Sequence, residues 1–270
     1  TNTGNGYPGN PRDDMPNPIP AGAVVVINGT YSYNHSSPNG ITVNGTITSP
    51  VFIRGMSPTV RPRITGAWEI GGSYFIIENV EFAFTGSGMG FIAPVDHAVL
   101  RHSEVRGNLN GGSTGVASYG GALASYIVFW DNLIHDNGDV NANYDQDVHG
   151  IGLGERTSYV WIVDNKIYRN SGDGIQINAG QALQNTAHHF YIGRNESWGN
   201  KQTGFWTKQA VDVIFSQNIS HDHRPSNSSD GDCMGGQYGP TYVWYIYNKL
   251  YNCDYGIRIA SDSDLGSAGD

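Results

Sequence analysis

The chain has 270 residues, with 37 glycines, 16 tyrosines and only 14% charged residues. A helical protein of this size would carry more Ala, Leu, Glu and Lys, so the composition favours an all-β protein. The formal net charge is −9 and no run of basic residues is present, which argues against nucleic-acid binding because phosphate neutralisation needs clustered Lys and Arg. No segment approaches the roughly 18 apolar residues of a membrane span.

The N-terminal residues 1–20 are rich in proline and lack a periodic pattern, which predicts an extended N-terminal arm. Residues 21–70 resemble early, irregular turns of a repeat, with strands at AVVVING and PVFIRG. No domain boundary is visible, so we expect one domain over residues 1–270. The chain begins at Thr1 and not at Met, and we therefore expect a removed leader and a secreted or periplasmic location.

A phrase of short strands recurs along the rest of the chain. Its copies are YFIIENVEF, YIVFWDNLIHDN, YVWIVDNKIYRN, FYIGRNESWGN, VIFSQNISHD and YVWYIYNKLYN. The second half of the repeat reads TGVAS, HGIGLG, DGIQIN, TGFWTK and YGIRIA. A repeat of short strands without helical periodicity is typical of a solenoid, and it predicts a parallel β-helix.

The repeated asparagines are predicted to stack at one corner of successive coils, about 4.8 Å apart. There their amides can bond one another and the turn backbone. The predicted members are Asn79, Asn132, Asn165, Asn195, Asn218 and Asn248, with Ser103 in a degenerate copy. The glycine before each second strand is predicted to adopt positive φ. Cys233 and Cys253 lie about one coil apart and are either bonded or two buried thiols.

Alternation after the corner glycine assigns the side chains of the second strand to its two faces. The first and third residues, such as Ile175 and Ile177, are predicted to point inward, and the second and fourth to face solvent. The predicted outward residues are Gly152, Gly154, Gln176, Asn178, Trp206, Lys208, Arg258 and Ala260. With Asn248 as the anchor of the next coil, Tyr238 is expected in line with Asn178 and Lys208.

This outward line combines an aromatic ring, amides, a cation and a phenol, which suits the binding of an extended polysaccharide. The simpler alternative is a solvated face with a lone lysine. The opposite outward face is the rival location for a site, and it carries Lys166, Tyr168, Glu196, Trp198, His221, Lys249 and Tyr251.

Two insertions, NGDVNANYDQDVHG and HDHRPSNSSDGDCMGG, enlarge the coils just before this line. Long loops on a regular scaffold commonly build functional sites. The two insertions supply Tyr144, Asp147, His149, His221, His223 and Arg224. His149 is the favoured histidine because it directly precedes Gly150 beside the outward line.

Over about residues 40–265 the chain resembles the right-handed parallel β-helix superfamily of pectate-lyase-like proteins. The resemblance is carried by NKIYRNSGDGIQI, NISHDH and YNCDYGIRI. The segment GFWTKQAVDVIFSQN is similar to the strand and turn that carry the lysine base in chondroitinase B-like alginate lyases, with Lys208 at the matching place. Those enzymes carry an arginine on the next coil, where this chain has CMGGQYG. Tyr144, Asp147 and His149 share the spacing of the alginate epimerase motif, but the repeat phase argues against equivalence.

The resemblance implies β-elimination on a uronic-acid polysaccharide, with alginate first and pectate second. That reaction needs a base at C5, a group that neutralises the carboxylate and an acid at O4. Lys208 is the predicted base, and Tyr238 or His149 is the candidate acid; the reverse assignment, with a tyrosine base and Lys208 as neutraliser, is also open. The remaining residues are assigned to catalysis or substrate binding as follows: His149, Gln176 and Asn178 as neutralisers, Arg258 at a neighbouring uronate subsite, and Trp206 and Tyr144 as substrate contacts.

Other functions stay open at this level: a glycoside hydrolase with two carboxylates, a uronate C-5-epimerase, or a glycan-binding β-helix without activity. No metal or cofactor is firmly predicted. Calcium is a possible exception, since the insertions contain hard oxygen donors, namely Asp145, Asp147, Asp230 and Asp232. The expected partner is an acidic polysaccharide, and we expect a monomer.

Overall fold

The computed structural model describes residues 4–36, 40–57, 59–84, 88–108, 115–117, 122–142, 146–180, 183, 185–227 and 229–260. Its strands are β1 (Ile19–Pro20), β2 (Val24–Ile27), β3 (Thr30–Tyr31), β4 (Ile41–Asn44), β5 (Val51–Gly55), β6 (Arg63–Ile64), β7 (Trp68–Glu78), β8 (Glu81–Ala83), β9 (Met89–Arg101), β10 (Glu104–Arg106), β11 (Gly115–Ala117), β12 (Ala124–Trp130), β13 (Leu133–His135), β14 (Ile151–Leu153), β15 (Thr157–Val163), β16 (Lys166–Tyr168), β17 (Ile175–Asn178), β18 (His188–Gly193), β19 (Glu196–Trp198), β20 (Phe205–Lys208), β21 (Val211–Ser216), β22 (Ile219–His221), β23 (Met234–Gln237), β24 (Thr241–Ile246), β25 (Lys249–Tyr251) and β26 (Ile257–Ala260).

The strands form the successive coils of a parallel β-helix, as the repeat predicts. What we call the first face consists of β14, β17, β20, β23 and β26, each paired in parallel with the next. The second face consists of β12, β15, β18, β21 and β24. The third face is a separate nine-stranded sheet that runs from β3 to β25. Each strand thus stacks on the equivalent strand of the neighbouring coil.

The core is a set of apolar columns that run along the axis of the β-helix. Ile151, Ile175, Phe205 and Met234 occupy equivalent positions in successive coils, and all are fully buried. The predicted inward direction of the first residue after the corner is therefore confirmed. In the last described coil the equivalent residue, Ile257, is 47% exposed, because no further described coil covers it.

The predicted asparagine ladder is present in the C-terminal coils. Within it, Asn165 Nδ2 donates to Asn195 Oδ1 at 3.0 Å, and the Asn165 backbone N–H donates to the same oxygen at 2.9 Å. The ladder consists of Asn132, Asn165, Asn195, Asn218 and Asn248, and it continues to Ser103. The assignment of Asn79 to this ladder is wrong. Val80 holds that position, since its N–H donates to Ser103 Oγ.

A second asparagine ladder runs along another corner, and the repeat analysis did not predict it. Its members are Asn108, Asn137, Asn170 and Asn200. Each is buried, and each backbone N–H in the first three coils donates to the next amide oxygen. In the following coil His223 takes this position. The backbone N–H of the next residue, Arg224, donates to the Asn200 carbonyl, and in the coil before it the N–H of Lys201 donates in the same way to the Asn170 carbonyl.

The prediction of positive φ at the corner glycines holds for Gly115, with a φ of 155°, and is wrong for Gly150, Gly174, Gly204 and Gly256. Gly150, Gly174 and Gly204 are required by close packing instead. A β-carbon on Gly204 would lie 2.1 Å from Ser220 Oγ and 2.5 Å from a backbone oxygen. Positive φ occurs at other corners and at polar residues, including Asp131, Asp164, Arg194 and Gln217.

The two cysteines, left open by the sequence, form a disulfide. Cys233 and Cys253 lie on neighbouring coils with their Cα atoms 5.5 Å apart.

At the N-terminal end, the predicted arm joins the β-helix before residue 20, since Met15 and Ile19 are buried in the core and β1 pairs with β4. The single-domain organisation over residues 1–270 stays a prediction. In the described part of the chain no helix has the length and apolar character needed to cross a membrane.

Candidate functional site

A recess of about 300 Å³ lies on the outer side of the first face. Its lining is Asp147, Asp173, Gln202, Thr203, Trp206, Lys208, Ser229, Asp232, Gln237, Tyr238, Arg258 and Ala260. A larger hollow of about 690 Å³ at the N-terminal coils is lined mainly by glycines and apolar residues, with Glu69 as its one ionisable residue. The smaller recess is the candidate site because it concentrates acids, a lysine, an arginine and a phenol.

The two insertions build the walls of this recess, as expected from their position. Gln202 Nε2 donates to Asp147 Oδ1 at 3.0 Å, which ties the first insertion to a later coil. Arg224 Nη1 donates to Asn141 Oδ1 at 3.2 Å, which joins the two insertions. The walls therefore stand on a regular sheet and are fixed to each other across several coils.

Strand register arranges the side chains near the recess in three rows that follow the axis of the β-helix. The corner row, just ahead of the first-face strands, is His149, Asp173, Thr203 and Asp232. The outer row is Gly152, Gln176, Trp206, Gly235 and Arg258. The end row is Asn178, Lys208, Gln237 and Ala260. Neighbours within a row are about 4.8 Å apart.

Asp173 is a buried carboxyl at the bottom of the recess. Gln176 Nε2 donates to Asp173 Oδ2 at 2.7 Å. Burial raises the pKa of Asp173, although the charges of His149 and Lys208 and the bond from Gln176 act in the opposite direction. Asp173 therefore holds a proton to higher pH than an exposed aspartate does.

Lys208 lies beside a tyrosine, but the predicted line is wrong by one residue. Gln237, not Tyr238, pairs with Lys208 in the sheet. Tyr238 follows at the end of β23 with a φ of 66°, and its ring centroid lies 5.6 Å from Lys208 Nζ. The prediction placed Tyr238 by counting back from Asn248. This count is wrong because the turn from β23 to β24 differs in length from the turn from β20 to β21 in the preceding coil. The lysine and the phenol still share the recess.

Trp206 points away from the core as predicted, but it does not face solvent. It is only 7% exposed. Its indole lies over Gly235 of the next coil, where a β-carbon would be 2.5 Å from Trp206 Cζ3. Gln176 in the same row is also buried. The insertions cover both residues, so Trp206 forms part of the wall and offers little ring surface for stacking.

Arg258 lies in the outer row as predicted, and its guanidinium is already engaged. Arg258 Nη1 donates to Asp230 Oδ2 at 2.8 Å and to Asp232 Oδ2 at 3.3 Å. Asp232 is buried, and its Oδ1 has no hydrogen-bond partner among the described residues. Burial raises the pKa of Asp232 against the effect of Arg258. Arg258 thus neutralises acids of the protein at one end of the recess.

His149 lies behind the recess and does not line it. Its Nδ1 accepts a hydrogen bond from the Asp173 backbone N–H at 3.0 Å, and its side chain is buried. This geometry suits a positioning residue beneath Asp173. Tyr144, and with it Asp145, lies outside the described residues. Within the described ranges, no group of three or more His, Cys, Asp or Glu side chains is placed to hold a metal ion.

The rival outward face, which is the third face, carries a continuous stack of rings. The ring centroids of Tyr168 and Trp198 are 4.3 Å apart with planes 12° from parallel. The stack consists of His135, Tyr168, Trp198, His221 and Tyr251. Because these rings cover one another's faces, the third face presents mainly ring edges. It therefore suits sugar stacking less well than the sequence suggests.

The sequence analysis gave no site role to several residues of the recess. Thr203 stands between Asp173 and Asp232 in the corner row, and Gln202 and Gln237 complete the lining. One signal in the repeat could have found the corner row, namely the polar residue that directly precedes each corner position. No comparable signal marks Ser229, which lies within an insertion.

Neither a family model nor a curated protein matches the sequence. Solved structures match the fold. Jun a 1, the major allergen from cedar pollen, aligns with a TM-score of 0.59 at 10% identity over 92% of this chain and 85% of that chain. The periplasmic alginate epimerase AlgG aligns with a TM-score of 0.54 at 12% identity, over 89% of this chain and 61% of that chain. Pectate lyase Pel9A aligns with a TM-score of 0.50 at 14% identity, over 93% of this chain and 74% of that chain.

The protein therefore has the right-handed parallel β-helix fold of pectate-lyase-like proteins, and this prediction is confirmed. The chain spans 61% of the length of the alginate epimerase that it matches. At identities of 10 to 14% the likeness defines the fold and not the reaction.

Proposed function

We propose that the protein is a secreted or periplasmic polysaccharide lyase, active as a monomer, that cleaves a uronic-acid polymer by β-elimination in the recess. Alginate is the first candidate substrate and pectate the second. The observation that carries the proposal is the pairing of Lys208 with Tyr238 in an open recess on a flat sheet. An alginate epimerase and a pectate lyase among the fold neighbours support a uronate substrate.

The elimination needs no co-reactant. Lys208 takes the proton from C5 of the sugar, the electron pair forms a double bond between C4 and C5, and the bond from C4 to O4 breaks. Tyr238 gives a proton to the departing O4. Asn178, which pairs with Lys208, supplies an amide N–H group to the substrate carboxylate, whose negative charge grows as C5 loses its proton. Gln176 is buried and donates to Asp173, so it positions that carboxyl and does not contact the substrate.

The charge of the recess must allow a polyanion to bind although the chain carries −9 overall. Asp147, Asp173 and Asp232 line the recess with two cations. Because burial raises the pKa of Asp173 and of Asp232, these two carboxyls lose charge more readily on acidification than exposed aspartates do. Arg258 offsets Asp232 further. The recess thus carries less negative charge than its three carboxyls alone would give, which weakens the repulsion of a uronate.

Product analysis tests the proposal. The protein is incubated with alginate, polygalacturonate and a neutral glucan, and the ultraviolet absorbance of the unsaturated uronate is followed together with the reducing ends. We expect absorbance and reducing ends to rise together on a uronate polymer. Lys208→Ala should abolish both. Lys249→Ala is the matched control, because Lys249 also lies over a tyrosine ring, at 5.1 Å, on the third face. Full activity of Lys208→Ala refutes the proposal.

Two conservative variants separate the roles of the base and the acid. Lys208→Arg keeps the positive charge but cannot take a proton at neutral pH. If Lys208 is the base, Lys208→Arg is inactive and Tyr238→Phe keeps weak activity on substrates with good leaving groups. If Tyr238 is the base and Lys208 only neutralises charge, Lys208→Arg stays active and Tyr238→Phe loses activity.

Glycoside hydrolysis is the second candidate, and one observation favours it. Asp173 and Asp232 are buried carboxyls two coils apart in the corner row, a separation of about 9 to 10 Å by sheet spacing. Inverting hydrolases place their two carboxyls about 6.5 to 9.5 Å apart. Asp173→Asn distinguishes the two reactions. Asparagine can still accept the hydrogen bond from Gln176, so elimination should persist, whereas hydrolysis should be abolished.

A further inference from the structure

The outer side of the second face carries large aromatic residues that have no part in the proposed reaction. Trp130 is 38% exposed and Trp161 is 41% exposed. They lie on the neighbouring strands β12 and β15, and Tyr191 follows on β18 at the position equivalent to Trp161. Trp244 on β24 continues the column of Trp161 three coils further on. Trp161 and Tyr191 are thus neighbours in one column, about 4.8 Å apart. Trp130 lies two residues further along its strand, in the column of Val163 and Gly193, and Ile214 separates Tyr191 from Trp244.

A glycine sets the orientation of Tyr191. Gly193 is the next outward residue of β18, and a β-carbon there would lie 2.5 Å from Tyr191 Cε1 and 2.8 Å from both Cζ and Oη. The phenol ring therefore lies across the backbone of Gly193. One ring face rests on the sheet and the other is turned outward. An apolar face held in this way is what a sugar ring stacks on.

An ion pair fixes the edge of the same surface. Arg194 donates to both carboxylate oxygens of Asp164, through Nε and Nη2, each at 2.8 Å. Trp130 pairs with Val163, the residue directly before Asp164, so the indole lies at the rim beside this charged pair. Both members of the pair are partly exposed, and their remaining hydrogen-bonding capacity faces solvent. Such groups can bind sugar hydroxyls.

From this arrangement we infer that the second face binds a polysaccharide chain, at a site separate from the recess. We call Trp130, Trp161, Tyr191 and the Asp164–Arg194 pair the aromatic platform. The rings supply stacking surface and the ion pair supplies hydrogen bonds, while the balanced charge of the pair removes the attraction that a nucleic acid would need. Three successive coils each contribute an aromatic ring, Trp161 and Tyr191 in one column and Trp130 in the next column, which also holds Gly193, so a chain laid obliquely to the axis meets all three. This site holds the polymer on the enzyme while the recess works on another segment or another chain.

Native gel electrophoresis in gels that contain alginate, polygalacturonate or a soluble neutral glucan tests this site. We expect at least one polymer to retard the wild-type protein. Trp161→Ala and Gly193→Ala should each weaken the retardation by about fivefold or more, as expected for loss of one aromatic contact. Gly193→Ala removes no ring and only displaces Tyr191. Tyr7→Ala is the control, since Tyr7 is an even more exposed aromatic residue, at 72%, but lies in the N-terminal arm.

The outcomes separate this site from the recess. Lys208→Ala should keep the retardation even where it abolishes activity, so failure of the proposed reaction leaves the binding result intact. Unchanged retardation in both Trp161→Ala and Gly193→Ala overturns the inference, and so does an absence of wild-type retardation in all three polymers. A third outcome would also overturn the inference. If the wild-type protein is a dimer, and Trp161→Ala converts it to a monomer without changing the retardation, then the second face binds a second copy of the chain.

Discussion

Replacement of His223 by asparagine should change how the stability of the protein depends on pH. His223 occupies the position that follows Asn200 in the second asparagine ladder, and it is buried. Ser220 Oγ donates to the Cys233 carbonyl, so His223 Nε2 must donate its hydrogen to Ser220 Oγ, at 2.9 Å. The other ring nitrogen, Nδ1, has no partner among the described residues. A second proton would therefore be buried without an acceptor.

Burial lowers the pKa of His223 from 6.5 to about 3. The unfolded chain binds a proton below about pH 6.5 while the folded chain does not, so the contribution of His223 to stability is present above that pH and is lost on acidification. At about pH 5 this loss amounts to about 2 kcal/mol. It continues to grow until the pH approaches the folded value of about 3.

Urea unfolding of the wild-type protein and of His223→Asn, at about pH 7.5 and about pH 5, measures this difference. The variant cannot take up the proton, so its free energy of unfolding relative to wild type should rise by about 2 kcal/mol between the two conditions. His97→Asn is the control for the replacement of a histidine by asparagine, since His97 is partly exposed and bonded to Asp96. An equal pH dependence in wild type and His223→Asn would refute the argument.

Three further substitutions and one control, Gly154→Ala, test the stability of the fold by thermal or urea unfolding. Arg258→Met leaves buried Asp232 without its cation and should lower the free energy of unfolding by about 1–3 kcal/mol. Burial raises the pKa of Asp232, so in acid Asp232 can take up a proton and the loss of stability should be smaller. Gly204→Ala places a β-carbon 2.1 Å from a buried oxygen and should cost about 2 kcal/mol or more. Gly154→Ala, whose nearest atom is 3.5 Å away, should be nearly neutral, and an equal loss in both would contradict this account. Asn165→Ala leaves buried ladder groups unpaired and should cost about 2–4 kcal/mol; an unchanged midpoint would show that the ladder is not stabilising.

The sequence predicts the coil architecture because the repeat encodes it directly. Asn165 and Asn195 recur in phase with the alternating strands, so both the ladder and the inward columns follow from one periodicity. Asn79 was misassigned because its neighbour Val80, not Asn79, is in phase with Ser103. The second ladder could also have been predicted, because Asn137, Asn170 and Asn200 recur five residues after Asn132, Asn165 and Asn195 and end the same repeat copies.

The candidate site was less predictable because burial depends on what covers an outward residue. Strand phase shows that Trp206 points away from the core, but only the folded insertions show that it is covered. The same limit applies to Arg258, which Asp230 and Asp232 engage from an insertion of irregular length. The length of the turn from β23 to β24 likewise decided whether Gln237 or Tyr238 pairs with Lys208. Irregular segments carry no periodic signal from which such contacts follow.

The two aromatic surfaces show how one local arrangement leads to different roles. Trp206 lies over Gly235 on the first face, and Tyr191 lies over Gly193 on the second. In both cases a glycine at an outward position lets a ring lie against the sheet. The insertions cover the first face, so Trp206 becomes a wall of the recess, whereas Trp161, beside Tyr191, remains 41% exposed. The placement of the insertions, and not the sheet itself, therefore separates the proposed reaction site from the proposed binding surface.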